Sequence, residues 1–339
     1  MPASVYIPTL TPSEPTALVD GFARELTYLR LSITDFCNFR CDYCLPSGYQ
    51  GKRSNDELSV AEIDVLVQAF ARLGTKKVRI TGGEPSIRSD VRDIIELIAA
   101  TEGVETVAMT SNGYKLGKHL QGWQAAGLNQ LNISMDSFDA QTFAQITGMN
   151  TLPALLRDMD TLLETTDIKL KINSVLMSDT VAQNVTDALD YVKTRPVSYR
   201  FIEFMQTSDN SDLFFAQHAQ SKDVINYLEQ LGWQAMPRSI AAGPAVEYTH
   251  PDYAGRIGVI APYAAHFCDN CNRLRVNCHG KVHLCLFDKG NFDIRDYLRK
   301  GDVTGLIAKL QGLMPIKPEH HHLHEHNSGM MDNLSVIGG

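Results

Sequence analysis

From position 28 onward, apolar β-branched runs alternate with stretches whose apolar residues recur every three to four positions. The runs fall at 28–34, 77–81, 106–111, 130–136, 168–177 and 198–204 and read as strands. Between them, helical spacing occupies about 59–73, 90–101, 116–126, 140–164 and 181–194, with one more helix at about 220–231. Strands separated by helices of this length predict an α/β protein built on a parallel sheet. Six such units are too few for a complete eight-stranded barrel. The chemically interesting residues nevertheless gather at or just after the strand ends, where barrel-type sheets carry their active sites. The expected fold is an incomplete (β/α)6 TIM-type barrel over 28–235, with a C-terminal extension, 236–339, closing its open side. Residues 1–27 form an N-terminal arm, whose start is marked by Pro8, Pro12 and Pro15 among small polar residues. After about residue 235 the alternation stops and a turn-rich stretch begins.

Composition narrows the function. The chain has 339 residues, 44% of them hydrophobic, enough for a sizeable core. A net charge of −8 argues against a nucleic-acid-binding surface. No window reaches the eighteen apolar residues of a membrane span, and the opening ten residues lack a basic head followed by an apolar stretch, so a cytoplasmic protein is expected. Seven cysteines, at 37, 41, 44, 268, 271, 278 and 285, are odd in number and sharply grouped. Metal binding in a reducing compartment explains that grouping better than a disulfide framework.

Cys37, Cys41 and Cys44 follow the first strand with C-x3-C-x2-C spacing. Three thiolates on one tight loop hold three corners of a four-iron cube and leave the fourth iron open to a small molecule. The second strand runs into Gly82-Gly83-Glu84-Pro85, where paired glycines allow close backbone approach and the carboxylate offers an anchor for an ammonium; by itself it also reads as a plain strand-to-helix corner. Alternation along strands puts Lys77 with Arg79, Asn132 with Ser134 and Asp136, and Lys169 with Lys171 and Asn173 on shared faces. Inward cations are costly without an anion, so Arg79, Lys171 and Arg200 suggest a polyanionic substrate, or else pairing with Asp136, Glu203 or Glu84. In the second group, Cys268 and Cys271 form a C-x2-C pair to which a hairpin through Cys278 returns Cys285. A four-cysteine zinc site using Cys278 and a phosphate-binding metal site flanked by Arg273 and Arg275 both fit this spacing.

Taken together, the C-x3-C-x2-C loop with Tyr43, the Gly-Gly-Glu-Pro turn, and Cys268-x2-Cys271-x13-Cys285 with Asn272-Arg-Leu-Arg275 resemble the radical S-adenosylmethionine enzymes. Within them they are similar to the GTP 3′,8-cyclases that open molybdenum cofactor biosynthesis. The resemblance runs from about Tyr28 to Gly339. It implies that Cys37, Cys41 and Cys44 hold a [4Fe-4S] cluster chelating S-adenosylmethionine, with Tyr43, Gly83, Ser134 and Met205 at the contacts of that cofactor. It implies that Cys268, Cys271 and Cys285 hold a second [4Fe-4S] cluster facing the guanine base, and that Arg30, Arg79, Thr110, Lys171, Arg273 and Arg275 contact GTP. A 5′-deoxyadenosyl radical would remove hydrogen from C3′, giving 3′,8-cyclo-7,8-dihydro-GTP, and the tail Gly338-Gly339 would support that step. The same resemblance implies a homodimer, an electron donor such as flavodoxin or ferredoxin, and a downstream cyclic pyranopterin monophosphate synthase.

Two rival readings accompany this one: a radical enzyme on another substrate whose second cluster only relays electrons, and a non-catalytic zinc-stapled binding protein. Cys278 falls outside the ligand pattern and reads as an innocent hairpin residue. The tract His320-His-His-Leu-His-Glu-His326 reads as solvated surface.

Overall fold

The structure is a computed structural model that describes residues 17–51, 56–237, 243–288, 290 and 292–325. Gly338, Gly339, His326 and the arm up to residue 16 therefore lie outside the described residues. The expected alternation is present: β1 (Tyr28–Ser32), α1 (Val60–Arg72), β2 (Lys77–Thr81), α2 (Val91–Ala100), β3 (Thr106–Ser111), α3 (Leu116–Ala125), β4 (Gln130–Ser134), α4 (Ala140–Thr147), α5 (Leu152–Thr165), β5 (Lys169–Leu176), α6 (Val181–Thr194) and β6 (Ser198–Glu203). The long helix expected over 140–164 is two helices. Gly148 ends α4 in the left-handed conformation, at φ 72°, and a side chain there would collide with Arg40. A short α7 (Ser211–Gln217), which no apolar period announces, precedes α8 (Ser221–Gln230).

The C-terminal region is more regular than its sequence suggests. It contributes β7 (Gln234–Ala235), β8 (Val246–Thr249), β9 (Arg256–Ile260), β10 (Arg273–Val276), β11 (Lys281–His283), β12 (Phe292–Asp293), α9 (Arg295–Lys300) and α10 (Val303–Leu313). The strands order as β12-β11-β10-β1-β2-β3-β4-β5-β6-β9-β8-β7. From β10 to β9 every neighbouring pair is parallel. The six-unit barrel is thus extended at both edges by parallel strands from the extension: β10 beside β1, and β9 beside β6.

Period-two alternation fixes what faces where. Leu29, Leu31, Val78, Ile80, Met109, Leu131, Ile133, Ile172, Phe201, Val259 and Leu274 are buried in the core shared with the helices. The residues between them along the strands, among them Arg30, Arg79, Asn132, Lys171, Arg200 and Arg275, line a polar interior instead. Ser59 and Glu62 cap α1 reciprocally, and Glu62 also pairs with Arg295 at 2.9 Å, tying α1 to α9. Among the described residues no helix is long and apolar enough to cross a membrane.

Candidate active site

Two cavities, of about 1150 and 1040 Å³ with their mouths included, occupy the inside of the sheet. The first lies at the C-terminal strand ends and is lined by Cys37, Cys41, Cys44, Tyr43, Gly83, Ser134, Asp136, Glu203 and Met205, among others. The second lies deeper and takes in Arg30, Arg79, Lys171, Arg273 and Arg275 together with Cys268, Cys271 and Cys285. Thr110, Asn173, Ile202 and Met205 line both, so the two cavities adjoin.

The first cysteine loop is held by its own backbone and by the turn after β2. The amides of Cys44 and Leu45 donate to the Cys41 carbonyl at 2.9 and 2.8 Å, a tight turn that gathers the thiols. Gly82 and Gly83 are required by this loop: a Cβ at Gly82 would sit 2.4 Å from the Thr34 carbonyl oxygen, and one at Gly83 2.2 Å from that of Phe36. The close approach foreseen for a ligand is therefore first an approach between two backbone segments. Glu84 also has a structural part. It is fully buried and accepts from the Ser86 and Asn112 amides at 2.9 and 2.6 Å and from the Ser111 hydroxyl at 2.8 Å, so it fastens the turn to β3. Tyr43 donates to Asp136 at 2.8 Å, and burial raises that carboxyl to about 6 against the hydrogen bonds from the Val175 amide and Tyr43.

All six cysteines of the two trios are free thiols. In neither trio do the three sulfurs all lie within 4.8 Å of one another. Sulfurs around a single zinc ion are about 3.8 Å apart, given bonds of about 2.3 Å in a tetrahedron. The all-thiol donor set of each trio suits iron–sulfur ligation. Cys278 belongs to neither: it is fully buried and faces Asp35 and Glu57, away from the second cavity. A four-cysteine zinc staple is not what the fold assembles.

The second cavity is a cation chamber. Seven cationic side chains line it, Arg30, Lys77, Arg79, Lys171, Arg200, Arg273 and Arg275, and no carboxylate does among the described residues. The parallel register sets Arg30 between Arg79 and Arg275, and Tyr28 between Lys77 and Arg273. Burial, then the Arg200 charge, holds Lys171 down at about 7, and burial lowers Lys77 to about 8. Burial and the neighbouring Arg273 bring Arg275 to about 10, and its Nη1 has no hydrogen-bond partner. Tyr28 is pulled to about 7 by Arg79, Arg30 and Lys77 in spite of its burial. Cations that depress one another this far call for a polyanion. Among the described residues none of Asp136, Glu203 and Glu84 pairs with a lysine or arginine; Glu203 instead accepts from Ser221 and meets His218 at 3.1 Å. Arg200 pairs with a carboxylate, Glu247 of β8, which also accepts from Ser198 at 2.7 Å. No local pattern in the sequence marks Glu247, because β8 reaches β6 only through β9. The buried Lys317, which donates to the Leu284 carbonyl beside the second trio, was equally unmarked.

The second trio sits among these charges. Burial works against ionisation of Cys271, yet Arg273 and Lys317 hold its thiol at about 6. Asp288 accepts from the Leu284 and Cys285 amides at 2.6 and 2.8 Å and shapes the turn that presents Cys285. Arg24 donates to the Cys268 carbonyl at 3.0 Å and to those of Glu319 and Pro318 at 2.7 and 2.8 Å, which pins the loop to the segment after α10.

Two family models match, dividing the chain much as the chemistry does: the radical SAM superfamily over residues 31–192, and Molybdenum Cofactor Synthesis C over 197–323. The fold is also that of SuiB of Streptococcus suis, solved with S-adenosylmethionine, at a TM-score of 0.56 and 13% identity over 84% of this chain and 68% of that one. The class is thus a radical SAM enzyme. The chain is 46% identical to the GTP 3′,8-cyclase of Actinobacillus pleuropneumoniae serotype 3 over 95% of both chains. It is 44% identical to that of Haemophilus ducreyi over 98% of this chain and 99% of the relative. It belongs to the GTP 3′,8-cyclase family, enzymes of molybdenum cofactor biosynthesis that use S-adenosylmethionine and iron–sulfur clusters.

Proposed function

We propose that the two adjoining cavities divide one reaction between them: S-adenosylmethionine in the first, GTP in the second, with conversion to 3′,8-cyclo-7,8-dihydro-GTP where they meet. The observation that carries this reading is the seven-cation chamber opening onto the first cysteine loop through Thr110, Asn173, Ile202 and Met205. Cys37, Cys41 and Cys44 would hold one [4Fe-4S] cluster, and Cys268, Cys271 and Cys285 the other. When bound, the first supplies the electron that cleaves the sulfonium and yields the 5′-deoxyadenosyl radical, and the second supplies an open iron for the base. Tyr43, Gly83, Ser134 and Met205 bound the S-adenosylmethionine side. Arg30, Arg79, Lys171, Arg273 and Arg275 neutralise the triphosphate, and Thr110, already 3.2 Å from an Arg79 nitrogen, stands between the two ligands. Gly338 and Gly339 are assigned to the C3′ step on the family likeness alone.

The barrel is assigned to 28–235 and the second-cluster region to 236–339. A cytoplasmic homodimer, reduced by a flavodoxin- or ferredoxin-type donor and handing its product to a cyclic pyranopterin monophosphate synthase, completes the reading and rests on family membership. Anaerobically reconstituted protein given GTP, S-adenosylmethionine and dithionite is expected to form the cyclised nucleotide with 5′-deoxyadenosine. Protein lacking Gly338-Gly339 should keep both clusters and lose the cyclised product. Turnover of S-adenosylmethionine without any cyclised nucleotide in the full chain would overturn the assignment of substrate.

A further inference from the structure

Cys278 is the one cysteine the cyclase reaction does not use, and its surroundings are organised. It stands with His279 in the hairpin turn between β10 and β11, directly opposite the stretch that leaves β1 for the first cysteine loop. Among the described residues, Asp35, Cys278 and His279 are the only group of three such side chains whose ligand atoms all lie within 4.8 Å of one another.

The orientation of each donor is fixed from behind. His279 Nδ1 lies 3.3 Å from the Asp56 carbonyl oxygen, an acceptor only, which in the neutral ring places the proton on this nitrogen and leaves Nε2 for a metal ion. Nε2 faces Asp35 Oδ2 at 3.4 Å, an ion pair when the ring is protonated and a pair of adjacent metal donors when it is neutral. The other carboxylate oxygen, Oδ1, takes the Tyr49 hydroxyl at 3.0 Å. Outer hydrogen bonds of this kind, a carbonyl behind the imidazole and a donor behind the carboxylate, are what orient metal ligands. The turn itself is rigid: Asn277 Oδ1 accepts from the His279 and Lys281 amides at 3.1 and 3.0 Å. The Glu57 charge also reaches the thiol, while its carboxylate accepts from the Thr34 hydroxyl.

We propose that Asp35, Cys278 and His279 form a binding site for a single divalent transition ion, distinct from both cysteine trios. A thiolate, an imidazole and a carboxylate are the donor set of zinc, with water in the fourth position. Such an ion would bolt the root of the first cysteine loop to the hairpin that carries the second trio's last ligand.

The test uses holoenzyme with both clusters, incubated with zinc chloride and desalted, read by metal analysis and by absorption at the zinc edge, which is blind to iron. About one zinc per chain is expected, bound by one sulfur and otherwise nitrogen and oxygen. Cys278→Ser and His279→Gln should each cut retained zinc by roughly tenfold or more while iron stays at about eight per chain. Because His279 is partly exposed, its variant serves where the buried Cys278 substitution impairs folding. Absence of retained zinc in the wild type, a zinc shell of three sulfurs, or zinc held equally by both variants would each overturn the site. The last result would move the ion to the histidines of the 320–326 tract.

Discussion

The two cysteine trios look alike in sequence and live in opposite electrical surroundings. The first shares its cavity with Asp136 and Glu203 and with no lysine or arginine among the described residues; the second shares its own with seven cations and no carboxylate. Burial pushes Cys37 up to about 11 and Cys44 up to about 12, and nearby acids push the same way, Glu84 on Cys37 and Asp136 on Cys44. Cys271, equally hidden, is held near 6 by Arg273 and Lys317. The lesson is that like spacing does not imply like surroundings: the field around each trio differs in sign, the acidic side suiting a cationic ligand and the basic side an anionic one.

The largest effect expected from breaking this division comes from the thiols themselves. Cys41→Ser should lower 5′-deoxyadenosine formation by roughly a thousandfold or more, since two thiolates do not hold the cube, with iron falling to about four per chain. Cys271→Ser should retain cleavage of S-adenosylmethionine while abolishing the cyclised nucleotide. Equal loss of cleavage in both variants would erase the distinction.

A smaller effect reads the fields directly. In metal-free protein at pH 7, iodoacetamide should modify Cys271 on the order of 50 times faster than Cys37, the thiolate advantage being partly offset by lower intrinsic nucleophilicity. Mass spectrometry of timed digests gives the rates, and indistinguishable labelling would contradict the contrast.

Arg275→Ala should weaken GTP binding about 30-fold, the cost of one charge-assisted contact to phosphate, and leave S-adenosylmethionine binding within about twofold. Calorimetry with each ligand separates the two.

The smallest effect concerns Asp136. Its folded value of about 6 lies above the ordinary carboxylate value of 3.8, so the folded state binds the proton more tightly, and metal-free protein loses stability as pH rises from about 4 to 6. Asp136→Asn should therefore raise the melting temperature of metal-free protein by a few degrees at pH 7 and by nothing near pH 4. Equal shifts at both pH values would assign the effect to packing.

Much of this was legible because it is local. The six strands carry their period in consecutive residues, and the C-x3-C-x2-C and C-x2-C motifs put their ligands within one turn. What escaped notice depends on distant partners. β10 is only four residues long and reads as a charged fragment until it is laid beside β1, almost 250 positions earlier in the chain. Glu247 acquires its meaning from Arg200, and Gly258 from the same side chain, since a Cβ there would come within 2.7 Å of it. Glu84 is the converse case. A carboxylate beside two glycines invites a ligand, and only the fold reveals its bonds to Ser86, Ser111 and Asn112.

The pairing of β10 with β1 and of β9 with β6 also governs how the molecule comes off the ribosome. Until residue 260 has emerged, a nascent barrel would present β1 and β6 as two open edges, each a row of unpaired amides and carbonyls ready to recruit a strand from another chain, and β1 stays open until residue 276. The extension that holds the second trio is therefore also the chain's own protection against aggregation, delivered last. A fragment ending after β6 would contain every residue of the first cysteine loop and still be a hazard to its own solubility.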